Sequence, residues 1–278
     1  MSVKRKQKVV VGLIYAILIL TALVILYPIA FVIIGSMNPG QTLMSFSFNP
    51  DRLTLHHYER LFMEKDYLLW YKNTLKIAFF TMILSTVLIV MTAYSLSRFR
   101  FAGRRQALMA MLVLQMFPSF MGLIALYILL LQINLLDSHW GLILIYAGGS
   151  IPFGAWLCKG YFDGIPRSLE EAAKIDGASH SIIFFRVMLP LSMPIVVFIA
   201  VSNFIGPWMD FILARLVLRS SEKKTLAIGL YEMVTGQQNT EFTMFAAGAV
   251  LVAVPITILF IMLQKYMVEG LRAGANKG

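Results

Sequence analysis

A single cysteine, Cys158, stands among 278 residues. One thiol excludes an internal disulfide and any metal cage built from cysteines. Charge is scarce too: Asp, Glu, Lys and Arg supply 14% of the chain, against 59% hydrophobic residues. A soluble domain of this length needs far more polar surface, so composition points to a membrane protein. No G-x-x-x-x-G-K-[ST] phosphate loop occurs, so nucleotide is not held by that device. The histidines, His56, His57, His139 and His180, never form H-E-x-x-H, and G-x-S-x-G is missing as well. An intramembrane hydrolase is left without its constellation. The formal charge of +10 raises nucleic acid as a partner, but the basic residues lie scattered between apolar segments. They argue for topology and against nucleic acid.

What is there is apolar sequence in long runs. Residues 9–34, 77–96, 107–131, 140–157, 187–209 and 242–263 contain no Asp, Glu, Lys or Arg. Roughly 20 helical residues cross a hydrocarbon core of about 30 Å, whereas a membrane strand needs about 10. The reading is an all-α, polytopic membrane bundle of six transmembrane helices. The run at 140–157, with Gly148-Gly149 and Pro152, is the least regular. The first run follows MSVKRKQK and is too long for the apolar region of a cleavable signal, so it is expected to remain as a span.

Orientation follows from Lys and Arg. With a cytoplasmic N-terminus, 15 of the 24 basic residues fall on inner segments and 9 on outer ones. The cytoplasmic bias of basic residues then places both termini inside. No ionisable residue lies deep in any run, which argues against a proton-coupled carrier. Seven prolines interrupt them: Pro28, Pro118, Pro152, Pro190, Pro194, Pro207 and Pro255. Each removes a backbone donor and bends its helix. Gln115, Ser202 and Asn203 are candidates to line a path or to bond between helices. Trp156 and Trp208 are candidates for stacking on a ligand.

Between two apolar runs sits EEAAKIDGA, residues 170–178. Ser168 and Glu171 have the spacing of a capping box, behind Pro166, which predicts a helix starting near Leu169. Ala172 and Ala173 keep it slim. Gly177 is the expected stop, because glycine takes the left-handed conformation without steric cost. Ser179 is placed to cap a second helix, SIIFFRVML, that runs to Pro190. The residues alone allow two uses: a handle for a partner, or an amphipathic helix resting on headgroups.

The segment resembles the E-A-A-x3-G-x9-[IV]-x-L-P signature of permease subunits in ATP-binding-cassette importers. Glu171-Ala172-Ala173, Gly177 and Val187-Met188-Leu189-Pro190 carry the match. SRFRFAGRR, QMFP, GLIALY, KGYF and the tail EGLRAGANKG are similar to the second permease of maltose/maltodextrin-type importers, within the binding-protein-dependent transport system inner membrane component family. The resemblance implies the type I importer permease fold in a bacterial cytoplasmic membrane. It implies 1–69 as an N-terminal segment with the first span and first outer loop. Residues 70–265 become the transport core, with its coupling loop at 160–186, and 266–278 a cytoplasmic tail.

It also implies partners: a second permease, two ATPase subunits that bind ATP and Mg, an extracellular solute-binding protein, and an oligosaccharide. This chain would hold no cofactor or metal and do no catalysis of its own. Glu170, Glu171, Ala172, Ala173, Asp176, Gly177, Ala178, Leu189 and Pro190 would couple to the ATPase. Thr235, Gly236, Gln237, Gln238 and Asn239 would face the binding protein. Gly270, Gly274 and Gly278 would reach the ATPases in an extended tail. Cargo other than maltodextrin stays open here, namely galacto-oligosaccharides, raffinose-type sugars or glycerol phosphates.

Overall fold

The computed structural model describes residues 3–40, 52–235 and 241–275. All regular elements among them are helical. In chain order they are α1 (Val3–Ser36), α2 (His56–Met63), α3 (Tyr67–Arg98), α4 (Arg104–Leu114), α5 (Leu123–Gln132), α6 (His139–Gly164) and α7 (Arg167–Ile175). There follow α8 (His180–Ile183), α9 (Leu189–Leu191), α10 (Met193–Met209), α11 (Ile212–Val217), α12 (Leu226–Thr235) and α13 (Phe242–Ala275).

Among the described residues, four helices are long and apolar enough to cross a membrane: residues Val10–Ser36 of α1, α3, α6, and Phe242–Tyr266 of α13. Taken as one span, the bent pair His180–Leu191 with Met193–Met209, turned by 78°, makes a fifth. The irregular run 140–157 is a continuous helix despite Pro152. Its start is fixed by Ser138, whose side chain accepts from the Trp140 amide at 3.2 Å.

The run 107–131 is divided instead. Pro118 offers no N–H and disfavours helical backbone just before it. The amides of Gln115, Met116 and Phe117 therefore tighten onto carbonyls three residues back. A 3₁₀ turn at Ser119–Gly122 precedes α5. This third apolar run therefore gives two shorter helices, where a single spanning helix was expected.

The chain forms two compact units, Met1–Tyr67 with Leu230–Val254, and Leu68–Gly229 with Pro255–Gly278. In the first, Tyr67 donates to the Gly248 carbonyl at 3.1 Å. Buried His57 bonds the Asn38 carbonyl through Nε2 at 2.8 Å. The second unit has two packed clusters. One gathers Ile77, Leu130, Leu142, Ile143, Val217 and Ile228. The other gathers Ile89, Tyr94, Cys158, Phe162, Ile183 and Met188, beneath the charged segment at 170–178.

Close packing sets one requirement in the second unit. A β-carbon at Gly229 would overlap the indole ring of Trp70. Gly229→Ala is expected to destabilise the fold by about 1–3 kcal/mol, the usual cost of overpacking. A lowered thermal unfolding midpoint of the purified protein checks it.

Candidate functional site

The charged segment folds as a hairpin. Helix α7 starts one residue before Ser168, with Pro166 as its N-cap and no side-chain cap. The capping box expected from Ser168 and Glu171 is therefore not formed. Proline already fixes the entry backbone at φ −58°, and Ser168 is drawn into the first turn. Glu171 is exposed instead of reaching back.

Its neighbour Glu170 is the anchored acid. It is 8% exposed and forms an ion pair with Arg98, at the last residue of α3. Arg98 also donates to the Ile165 carbonyl at 2.9 Å and approaches the Met188 sulfur at 3.9 Å. One guanidinium thus ties the end of α3 to the α6–α7 link, to α7, and to the turn beyond α8. Burying two charges is costly, and the bonds from Arg98 Nη2 to Ile165 and Met188 offset part of that cost.

The far end of α7 closes as expected. Gly177 has φ +79°, donates to the Lys174 carbonyl at 3.0 Å, and Ala178 donates to the Ala173 carbonyl at 2.9 Å. These are the two bonds of a Schellman stop. Ala173 and Ala178 pack against the cluster below. Ser179 then caps α8, accepting from the Ile182 amide at 3.4 Å.

The chain continues through a π turn at Phe184–Met188 into α9. The expected coupling residues Leu189 and Pro190 lie there, immediately before the 78° bend. Fully buried Ser192 marks that bend, and its hydroxyl donates to the Leu189 carbonyl at 3.0 Å. What the hairpin leaves exposed is Glu171, Ala172, Lys174, Ile175, Asp176 and Gly177. A charged rim around a bare isoleucine, on a backbone held at both ends, suits a docking knob.

At the other end of α6, the loop before α12 is held by Asp137. Its carboxylate accepts from the Arg219 amide at 2.8 Å, the Ser220 amide at 3.1 Å and the Lys223 ammonium at 3.1 Å. The Ser220 hydroxyl donates to it at 2.5 Å. Asn73 adds two bonds, to the carbonyls of Glu222 and Lys224, each 2.9 Å. Partial burial works to raise the Asp137 carboxyl, but the donors from Ser220, Arg219 and Lys223 outweigh it and hold it well below the usual carboxylate range.

The sign of the pH effect follows. A depressed carboxylate stabilises the loop above its ordinary value near 4, and this contribution drains away as pH falls toward the lowered one. The protection factors of the Arg219 and Ser220 amides, taken against the intrinsic exchange rate at each pH, are expected to fall on acidification below about pH 4. In Asp137→Asn they are expected to be lower throughout and to lose that added pH dependence.

Among the residues expected to face a binding protein, Thr235 ends α12 and donates to the Tyr231 carbonyl at 3.1 Å. Gly236, Gln237, Gln238 and Asn239 lie outside the described residues. The stem beneath them is firm: the Glu241 amide donates to the Met233 carbonyl at 3.0 Å. The Glu241 carboxylate pairs with Lys65 at 2.8 Å and with Arg60 at 3.4 Å. In the tail, Gly270 and Gly274 are helical positions of α13, where an extended segment was expected. Leu271, Arg272 and Ala273 between them favour helix and offset a cost of about 1 kcal/mol per glycine. Gly278 is outside the described residues.

Two polar candidates of the spans satisfy themselves locally: Ser202 and Asn203 bond carbonyls four residues back, at 2.8 Å each. Gln115 instead bonds between helices, donating to the Gly149 carbonyl of α6 at 3.4 Å. Trp208 is buried, with an edge contact to Tyr71. Trp156 is exposed beside Phe153.

Arg98, Asp137, Asn73 and Glu241 are the structural anchors that sequence reading passed over. A visible signal existed for two of them, since Arg98 and Asp137 are charges set at the edges of apolar runs.

Together these features define a class: a multi-pass membrane protein of bent helices, carrying a preformed charged knob tied to the end of α3. The model of the binding-protein-dependent transport system inner membrane component family matches residues 85–272, and the chain belongs to that family. It is therefore a transport component of the inner membrane. The galactooligosaccharides transport system permease protein GanQ of Bacillus subtilis (strain 168) is 46% identical, covering 95% of this chain and 94% of that one. The maltodextrin transport system permease protein MdxG of the same strain is 43% identical over 95% of each. The crystal structure of a bacterial ABC transporter that imports the acidic polysaccharide alginate has a chain of similar fold. Its TM-score is 0.82 at 26% identity, covering 96% of this chain and 99% of that one.

Proposed function

We propose that the chain is one permease subunit of an ATP-driven oligosaccharide importer, and that the α7 hairpin is where a separate ATPase moves it. A second permease completes the pathway, two ATPase subunits supply ATP and Mg, and an extracellular solute-binding protein delivers the sugar. Both termini and the hairpin face the cytoplasm, in line with the excess of basic residues on that side.

The observation that carries this reading is the Arg98–Glu170 pair. A knob resting idly on headgroups has no need of a buried ionic link to a spanning helix. A knob that transmits displacement does, because the push must reach α3 and the bent pair beyond α8. The importer then has two arrangements of its helices, and the ATPase biases one against the other.

Cargo is read at the level of class. Maltodextrins are the first to test and galacto-oligosaccharides the second, since relatives handling each cover 95% of the chain at similar identity. Purification of the chain in detergent from its native membrane tests the architecture: an ATPase subunit should stay attached. Isolation of this chain without any nucleotide-binding partner, under conditions that preserve its fold, would falsify the reading. Uptake of labelled maltodextrin against galacto-oligosaccharide by the same cells decides the cargo.

A further inference from the structure

The link between α3 and α4 holds a cavity of about 560 Å³ lined by Arg100, Phe101, Gly103, Arg104, Arg105, Gln106, Leu108 and Lys159. Four of those side chains are cationic. The nearby carboxylate, Asp163, pairs with Lys159 at 2.6 Å and accepts from Ser97 at 2.6 Å. It offsets the lysine and leaves the arginines in surplus. Arg104 donates to the Phe99 carbonyl at 3.4 Å. Arg100 and Arg105 have no ion pair among the described residues.

A second observation concerns the backbone of the same wall. Helix α4 has Gly103 as its N-cap, at φ 85°, with no side-chain cap and no acidic residue in its first turn. Its first two residues are Arg104 and Arg105. The first regular bond within it is Ala107 to the Gly103 carbonyl, at 2.8 Å, so the amides of Arg105 and Gln106 remain available as donors. The positive end of the helix dipole thus meets two positive side chains, the reverse of the usual arrangement. An anion seated there would relieve both.

A third observation is compatible with a lipid as the source of that anion. Helix α4 has no buried residue, and Phe101, Met109, Val113 and Leu114 are exposed. An apolar surface runs directly away from the cationic cavity, as an acyl chain would require.

We propose that this cavity binds the phosphate of an anionic phospholipid headgroup, with an acyl chain along α4, in the leaflet on the hairpin's side. The shared chemistry is a phosphate anion, and a free phosphate is the competing source. The cavity lies two residues beyond Arg98, so headgroup occupancy would steady the end of α3 to which the hairpin is tied.

The full chain, purified in mild detergent and exposed to equimolar phosphatidylglycerol and phosphatidylcholine, is examined by native mass spectrometry. Wild-type protein is expected to retain phosphatidylglycerol preferentially. Arg100→Gln with Arg105→Gln is expected to reduce that preference by at least about tenfold, since each basic group near an anionic surface is worth roughly a factor of five. Both side chains are exposed, so the thermal midpoint should stay unchanged, while the double lysine variant keeps the preference. Equal retention by wild type and the glutamine pair overturns the proposal. So does displacement of phosphatidylglycerol by millimolar inorganic phosphate, which would assign the cavity to a free anion, or a lysine pair as defective as the glutamine pair.

Discussion

Gly177→Asp is expected to abolish sugar uptake while the protein still reaches the membrane and folds. A β-carbon at position 177 meets no atom of this chain within 4 Å. The only internal cost is the left-handed backbone at φ +79°, about 1–2 kcal/mol for an ordinary residue and less for aspartate. A docked partner is another matter. It would bury the new carboxylate without a counter-charge, beside Asp176, and truncating or unpairing a charge at an interface costs about 2–5 kcal/mol. Seating of the ATPase should therefore weaken by about two orders of magnitude. Uptake of labelled sugar, with membrane abundance measured by immunoblot, reads the effect. Gly177→Ala should lose far less, since it adds strain without charge. Normal uptake by the aspartate variant would remove the hairpin from the transport cycle.

The second large effect belongs to Arg98 and Glu170, whose side chains are 6% and 10% exposed. Replacing either alone strands a buried charge, at about 3–5 kcal/mol. Arg98→Met should lower the thermal midpoint and sever α7 from α3, so that ATP hydrolysis no longer responds to a loaded binding protein. Replacing both, Arg98→Met with Glu170→Leu, should recover most of the stability, because a buried apolar pair is often no worse than an ionic one. Coupling should stay poor in the double variant, since the Ile165 carbonyl and the Met188 sulfur lose their donor. Single effects that simply add would mean that the two residues act independently.

The hairpin was legible because its signals are local. Gly177 after Ala172-Ala173 predicts a stop, and Ser179 predicts a start. Both are backbone requirements written within a few residues. The bends were legible for the same reason, Pro118 dividing one apolar run and Pro190 preceding another turn.

The capping box misled because two valid starts lay one residue apart, and the proline pre-set the earlier one. Arg98 and Glu170 lie far apart in sequence, and nothing in the sequence between them announces the meeting. Asp137 likewise looks like an ordinary loop acid until the residues around Ser220 are folded against it. Long-range polar pairing is decided by packing that no local pattern records.

Cys158 is fully buried, against Phe162 and Ile183 in the cluster under the hairpin. Thiol reagents applied to the natural protein thus find nothing to label. An Ile175→Cys substitution, at a position 86% exposed, would make one reactive handle on an otherwise silent background. A seated ATPase would shield that thiol, so its labelling rate would report occupancy of the knob with every native residue but one left in place.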